Sequence, residues 1–594
     1  MTDGSTGVAV VGMGCRFPGG VASRAAFWEM LRLGRDVVGP MPSDRFDIDR
    51  FLDPEPQKPG KMVAAEGGFL DRVDLFDAAF FGISPREAAK MDPQQRLLLE
   101  VVWEALEDGG IPAGSIAGRR TGVYVGVWSG EYENVIYRAP EDLDFHALTG
   151  GGRYAASGRI SWAYDFRGPC VTVDSGCSAS LSALHMARRA IADGEIDVAI
   201  VGAANLILQP HVSIGYSRSG MLSPGARCRF GDADAAGYVR SEGVAAVVLE
   251  RVDRAREHRH TVRATILDSA VNADGRGSGQ LATPSSEAQA ELLETVWSRS
   301  EVGPGSVPYV EAHGTGTRVG DPVELQALGS VLGSARPADR PLRVGSVKTN
   351  MGHTEACAGL AGLFKAVLAL EHRTIPANLH FSRPNPDIAW NELGITIPTE
   401  ATPWPTDAPL VAGVSSFGIT GTNAHAIVAV EPAVDGPAPA APDTPTPHVV
   451  VLSAASEEAL QVRIRDLRDR LREDGAPSLA DLSYTTTVRR EHLSHRIALV
   501  SNSTSEVSAV LDELLDRGST ARLIEGVAAP ATPPRVAFVF SGQGSQWAGM
   551  GRELLASSRV FADTIDRCDG ALEGVSELSI RSVLEGRGPD PETV

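Results

Sequence analysis

Short apolar runs alternate with amphipathic stretches through the first 430 residues. Val8-Ala9-Val10-Val11, Val123-Tyr124-Val125, Val198-Ala199-Ile200-Val201, Ala245-Ala246-Val247-Val248-Leu249 and Val344-Gly345-Ser346-Val347 have the length and composition of buried strands. Between them lie helical patterns. Residues 93–108, PQQRLLLEVVWEALED, have Asp92 as N-cap, Pro93 at the first helical position and Gln95 placed to complete a capping box; Gly109-Gly110 stops the helix. Strand alternating with helix predicts an α/β fold.

Two proline-rich stretches interrupt the pattern. Residues 431–447 read EPAVDGPAPAAPDTPTP and residues 526–534 read GVAAPATPP. Neither holds a helix or pairs as a central strand. They predict a large body at 1–430, a connector at 431–447, a small unit at 448–534 and a final segment at 535–594. The small unit also reads as α/β. Its expected strands are His448–Leu452 and Arg496–Val500, with a helix capped by Ser456 and carrying Leu460, Ile464, Leu467 and Leu471 on one face. The chain shows no short-period repeat.

Composition narrows the function classes. Of 594 residues, 43% are hydrophobic and 22% charged, which excludes global disorder. Asp+Glu total 75 against 55 Lys+Arg, a formal net charge of -20. That balance argues against a nucleic-acid partner, which requires a basic footprint. Cys15, Cys170, Cys177, Cys228, Cys357 and Cys568 lack paired spacing and read as reduced thiols. Met1-Thr2-Asp3-Gly4 has no signal-peptide character, and no apolar run nears the ~18–20 residues that span a bilayer. A cytoplasmic protein with no membrane contact is expected. There is no HExxH, CxxC or P-loop, so no metal or redox chemistry is expected. Gly12-Met13-Gly14 lacks the third glycine of a dinucleotide fingerprint, and Pro18 stands where its helix should begin.

The chemistry concentrates in four segments. In VTVDSGCSASLSALHMA (Val171–Ala187) a strand ends near Asp174, small residues surround Cys177, and a helix follows. A thiol at a helix N-terminus is favoured as thiolate, the nucleophilic form. On these residues alone, an inert buried cysteine is an equal reading. EAHGTGTRVGDPVE (Glu311–Glu324) presents His313, and SVKTNMGHTEACAG (Ser346–Gly359) presents His353, both in strand-to-loop transitions crowded with small residues. SSFGITGTNAHA (Ser415–Ala426) adds a glycine loop able to offer N–H groups to an oxyanion. His185 and His425 read as structural, and Trp28, Trp103 and Trp162 as core or interface aromatics.

These segments, with GVAVVGMGCRFPGG and FFGISPREAAKMDPQQRLLLEVVWEALEDGGI, resemble the β-ketoacyl synthase (ketosynthase) domains of polyketide synthases. The likeness runs in order through residues 6–430. It implies a five-layered αβαβα thiolase-like fold in two halves and a homodimer. It makes Cys177 the acyl-accepting nucleophile, and makes His313 and His353 the pair that supports decarboxylation and holds the enolate. Lys348 and Glu355 match a pair orienting this cluster. Thr315 and Thr317 resemble threonines that bind phosphopantetheine. Phe417 matches a gating aromatic whose N–H forms the oxyanion hole with that of Cys177. The implied reaction is decarboxylative Claisen condensation of a Cys-bound acyl group with a malonyl-type extender. No cofactor is bound to the chain itself; 4′-phosphopantetheine arrives on a partner acyl carrier protein. The alternatives are a non-elongating ketosynthase that passes chains along, or a silent dimerisation scaffold.

The family usually has Thr-Ala before the nucleophile; here Ser175-Gly176 precede it and Ser178-Ala179-Ser180 follow. That bears on acyl preference, not on the chemistry. LSYTTTVRREHLSHRIALV resembles part of the linker joining ketosynthase to acyltransferase. VAFVFSGQGSQWAGMG (536–551) resembles the opening of a malonyl-type acyltransferase. No GHSxG elbow occurs, so acyltransferase turnover is not expected from this chain, which reads as a piece of a longer synthase containing the remaining domains.

Overall fold

The computed structural model describes residues 7–55, 58–277, 279–334, 336–337, 339–431, 447–528, 536–542, 544–545, 547, 549–576 and 578–587. Almost all of the proline-rich connector (432–446) and of the second break (529–535) lies outside them, as does Gln543 of the GQG segment. Two compact units result, residues 1–528 and 529–594.

Eleven strands of the first unit form one sheet. They are β1 (Val8–Arg16), β2 (Thr121–Gly126), β3 (Cys170–Val173), β4 (Val198–Asn205), β5 (Gly243–Arg251), β6 (Ala264–Ala273), β7 (Tyr309–Glu311), β8 (Leu342–Gly345), β9 (Ile395–Thr396), β10 (Val411–Phe417) and β11 (Thr422–Ala429), in the order β9-β8-β7-β10-β11-β6-β1-β5-β4-β2-β3. The sequence concealed a duplication in that order. One half runs β1-β5-β4-β2-β3 and the other β6-β11-β10-β7-β8. In each half the first strand pairs antiparallel with the fifth, the fifth antiparallel with the fourth, and the remaining pairs are parallel. The halves join where Val8 of β1 faces Ile266 of β6.

Helices fill three layers around these halves. On one outside lie α1 (Pro93–Asp108) and α2 (Ala155–Ala163); on the other lie α4 (Ser286–Arg299) and α5 (Gly320–Leu328). Between the halves run α3 (Ala179–Ala192) and α6 (Ala358–Glu371), touching where Ser180 Oγ accepts from Leu360 N at 3.2 Å. Strand alternation divides the core accordingly. Val8 and Val10 join Leu184 of α3 and Phe364 of α6, whereas Ala9 and Val11 join Leu98 and Val102 of α1. The third slab packs Leu292 and Leu328 on Val310 and Val344. This is the five-layered thiolase-like arrangement.

Several local expectations change. Gly12 and Gly14 sit inside β1, not after it, and lie under α1: a Cβ on Gly12 would stand 2.1 Å from Ala105 O. They are close-approach glycines, not a phosphate loop. Asp92 caps α1 through Gln94 N at 2.9 Å, but Gln95 does not close the capping box. Its amide donates to the carbonyls of Thr149, Gly150 and Gly152, and Gly150 O takes Asp92 N instead. The strand expected over Val344–Val347 stops at Gly345, because Val347 N turns to Glu311 Oε1 at 2.6 Å.

The small unit holds β12 (His448–Ala454), β13 (His495–Ser501) and an unforeseen β14 (Ile524–Val527), an antiparallel sheet in that order. The second proline-rich break therefore begins later than its sequence suggested. α7 (Glu457–Arg470) is capped by Ser456 as expected, and Leu460 and Ile464 are buried beneath it. Arg463 reaches Glu107 of α1 at 2.9 Å, and Glu491 accepts from Gly114 N at 2.9 Å, so this unit leans on the first half. No helix among the described residues is long and apolar enough to cross a membrane.

Candidate active site

The site forms where the chain leaves corresponding strands of the two halves. After β3, Gly176 at φ 60° lets the chain turn through a single 3₁₀ turn, Gly176–Ser178, into α3. Ser175 Oγ lies 2.9 Å from Ser178 Oγ and 3.1 Å from Ser182 Oγ, which fixes the turn. Ser416 of β10 donates to Cys177 O at 2.8 Å, tying the second half to the nucleophile's backbone. Cys177, His313 and His353 line one cavity of about 680 Å³. Its wall also includes Thr315, Thr317, Phe417, Tyr216 and Met221.

His313 is gripped at three points. Its N–H donates to Glu324 Oε1 at 2.7 Å, its carbonyl accepts from Lys348 Nζ, and its Nδ1 accepts from Phe417 N at 3.2 Å. His353 Nδ1 accepts from Glu355 N at 3.1 Å. A backbone amide can only donate, so both rings have unprotonated Nδ1 and carry their proton on Nε2. Burial, reinforced by the Lys348 cation, holds both well below the ordinary histidine value; the His353 ring also feels His313 and Arg240. The two are neutral donors, with ring centres 5.3 Å apart and planes at 83°.

Cys177 does not gain thiolate character from the helix start: burial, and then the Glu355 carboxylate, push its thiol up to about 12. Loss of water outweighs Lys348 and the N–H groups on the sulfur. Those N–H groups are its own and that of Ile419, inside the glycine loop, whereas Phe417 N–H is committed to His313. Lys348 and Glu355 each reach a different histidine. Lys348 supports His313, while Glu355 is ion-paired with Arg240 at 2.7 Å and accepts from Trp128 Nε1 at 3.2 Å. Glu355 sits at φ 46°, a strained backbone held by those contacts. Removing one partner of so buried a pair costs about 3–5 kcal/mol.

The raised thiol value has a measurable consequence. The rate of iodoacetamide labelling at Cys177, read by peptide mass, is expected to climb about tenfold per pH unit from pH 6 to 9 without levelling. A plateau below pH 8 contradicts it.

Sequence reasoning missed Arg240, Trp128, Asp321 and Glu324. Burial pushes both Asp321 and Glu324 up to about 7, and they hold the His313 loop by accepting N–H bonds from Gly316 and Gly231, and from His313 and Gly314. Acids in the GDPVE run, on the buried face of α5, were the available signal. Thr315 and Thr317 do face the cavity, with hydroxyls 3.1 Å apart. His185 lies against Ser269 at 3.0 Å, and His425 is held between Ser415 and Trp297, both structural positions.

A duplicated α/β fold brings a half-buried cysteine and two neutral imidazoles together where its halves meet. Residues 5–255 match the family model for the beta-ketoacyl synthase N-terminal domain and 263–382 that for its C-terminal domain. Residues 384–500 match the ketoacyl-synthetase C-terminal extension and 537–589 the acyl transferase domain. The chain belongs to the β-ketoacyl synthase family and is a ketosynthase of the polyketide synthase type. It is 43% identical over 589 residues to polyketide synthase GfsA of Streptomyces halstedii, covering 98% of this chain and 8% of that protein. It is 43% identical to a phenolphthiocerol/phthiocerol polyketide synthase of Mycobacterium tuberculosis, covering 98% of this chain and 32% of that one. The chain thus spans a minor part of these relatives' length. Among solved structures, the oxazolomycin ketosynthase domain OzmH KS7 of Streptomyces albus JA3453 superposes with TM-score 0.80 at 35% identity, covering 89% of this chain and 91% of that one. The ketosynthase from module 6 of the Bacillus subtilis 168 bacillaene synthase gives 0.79 at 31%, covering 98% and 94%.

Proposed function

We propose that this chain elongates a polyketide by decarboxylative Claisen condensation, with Cys177 as nucleophile and His313 and His353 as the carbonyl donors. One observation carries the reading: two imidazoles with Nδ1 already occupied by backbone N–H share a cavity with the thiol, leaving only Nε2–H to offer. An acyl thioester exchanges onto Cys177, and the thiol proton passes to the departing carrier thiol. A malonyl thioester then binds with its carbonyl oxygen at the two Nε2–H groups. Carbon dioxide leaves, the electron pair becomes an enolate held by those donors, and its carbon attacks the acyl carbonyl. Cys177 departs as thiolate and takes up a proton, which its raised proton affinity favours. Lys348 and Glu355 act through the histidines, holding the backbone of one and the Nδ1 of the other.

The arm that delivers both groups is 4′-phosphopantetheine on an acyl carrier protein, with Thr315 and Thr317 as its hydrogen-bonding wall. The retention of Cys177 with both histidines in one cavity favours elongation over mere chain transfer or a silent scaffold. The test is to load the chain with an acyl group and add a malonyl carrier. A β-ketoacyl carrier product is expected; acyl transfer without carbon dioxide release would establish the chain-transfer alternative.

A second copy of the chain is the expected partner at β3. That strand ends the sheet, and beside it Phe145, Tyr154 and Trp162 are exposed, Trp162 at 73%. A bare edge with an apolar fringe suits isologous strand pairing across a two-fold axis. Trp162→Glu is expected to shift the sedimenting species from dimer to monomer. A variant dimer as tight as the parent would place the interface elsewhere.

A further inference from the structure

We propose that Glu250, His258 and His260 form a zinc-binding site, separate from the acyl site and not lining its cavity. Glu250 lies near the end of β5, an interior strand of the sheet, with its side chain only 2% exposed. The short helix Val252–Glu257 follows, and His258 caps it. Arg259 then takes φ 56°, turning the chain back so that His260 returns over the same carboxylate. His258 Nδ1 stands 2.7 Å from Glu250 Oε1, and His260 Nδ1 stands 2.7 Å from Glu250 Oε2. The three ligand atoms lie within 4.8 Å of one another, and the ring centres are 5.4 Å apart.

The donor set decides the metal class. Two imidazole nitrogens and one carboxylate suit a borderline cation such as Zn²⁺, whereas Ca²⁺ and Mg²⁺ want oxygen ligands. Among the described residues, Glu250 has no Lys or Arg partner, so its negative charge is met only by the two rings. Zn²⁺ supplies that charge. Each Nδ1–H now donates to one Glu250 oxygen; zinc binding shifts each ring proton to Nε2 and turns the freed Nδ1 lone pairs on the metal, and the two 2.7 Å N···O spacings open to about 3.3 Å for tetrahedral coordination. Water takes the remaining position from the solvent side, where His258 is 43% exposed.

The site also lies beneath a domain contact. Arg489, immediately after the helix Leu479–Val488 of the small unit, donates to the carbonyls of His258 and Arg259, at 3.2 and 2.8 Å. A bound ion stiffens the turn that Arg489 grips, and so strengthens the seat of the small unit on the first half.

The test uses the full untagged chain, stripped with a chelator, with accessible thiols capped, and titrated with zinc chloride by calorimetry and metal analysis. One zinc per chain is expected, with the thermal midpoint raised by a few degrees. His258→Ala and His260→Ala should each weaken that binding by about tenfold or more. Acyl loading of Cys177, measured before capping, should be unchanged in both and so report that they fold. A parent chain that takes up no zinc overturns the proposal. So does a His258→Ala variant that binds with parental affinity, which would leave Glu250 a hydrogen-bonded carboxylate only.

Discussion

Cys177→Ala is expected to abolish condensation, lowering turnover by a factor on the order of 10⁴ or more, because in the proposed mechanism Cys177 is the group that takes the acyl chain. The fold should survive. Cys177 is held through its carbonyl by Ser416, and that contact is independent of the side chain. The variant should also keep one partial reaction. His313 and His353 retain their Nδ1 partners without the thiol, so on the proposed mechanism the pair can still hold a malonyl thioester carbonyl, and carbon dioxide release without product is expected. Measuring carbon dioxide and β-ketoacyl carrier in parallel separates the two functions. A Cys177→Ala chain that still extends an acyl group contradicts the assignment of the nucleophile.

The second large effect belongs to the histidines. Removing one preorganised donor from a developing oxyanion costs roughly 10²–10³ in rate. His353→Ala should therefore lower condensation by about that factor while acyl loading of Cys177 falls far less, since loading forms no enolate. His313→Ala should do the same and, in addition, free Phe417 N–H from its ring partner. Equal losses of loading and condensation in His353→Ala would mean that the residue serves the thiol and not the enolate. Because burial keeps both rings neutral, their contribution should not fade as pH rises from 6 to 8.

The main elements were legible because their signals are local. The Val8 and Val198 strands announce themselves as continuous apolar runs, and the 93–108 helix by its capping residues and terminal glycines. The duplication was not, because only the order and direction of strands repeat, and no spacing of residues shows it. Within the site, residue identity and neighbourhood were legible, while partnership was not. Arg240 meets Glu355 across 115 positions of sequence, and nothing near either residue points to the other. Phe417 and Ile419 share one glycine loop, yet the turn sends one N–H to His313 and the other to the sulfur. The proton affinity of Cys177 was misjudged for a related reason: a helix start is visible in sequence, but the depth of burial around it is set by both halves.

The most direct measurement is intact mass after exposure to a panel of acyl thioesters, with Cys177→Ala alongside. The account predicts one acyl adduct per chain, absent from the variant. An adduct that persists in Cys177→Ala, or no adduct from any acyl group in a folded chain, would contradict it.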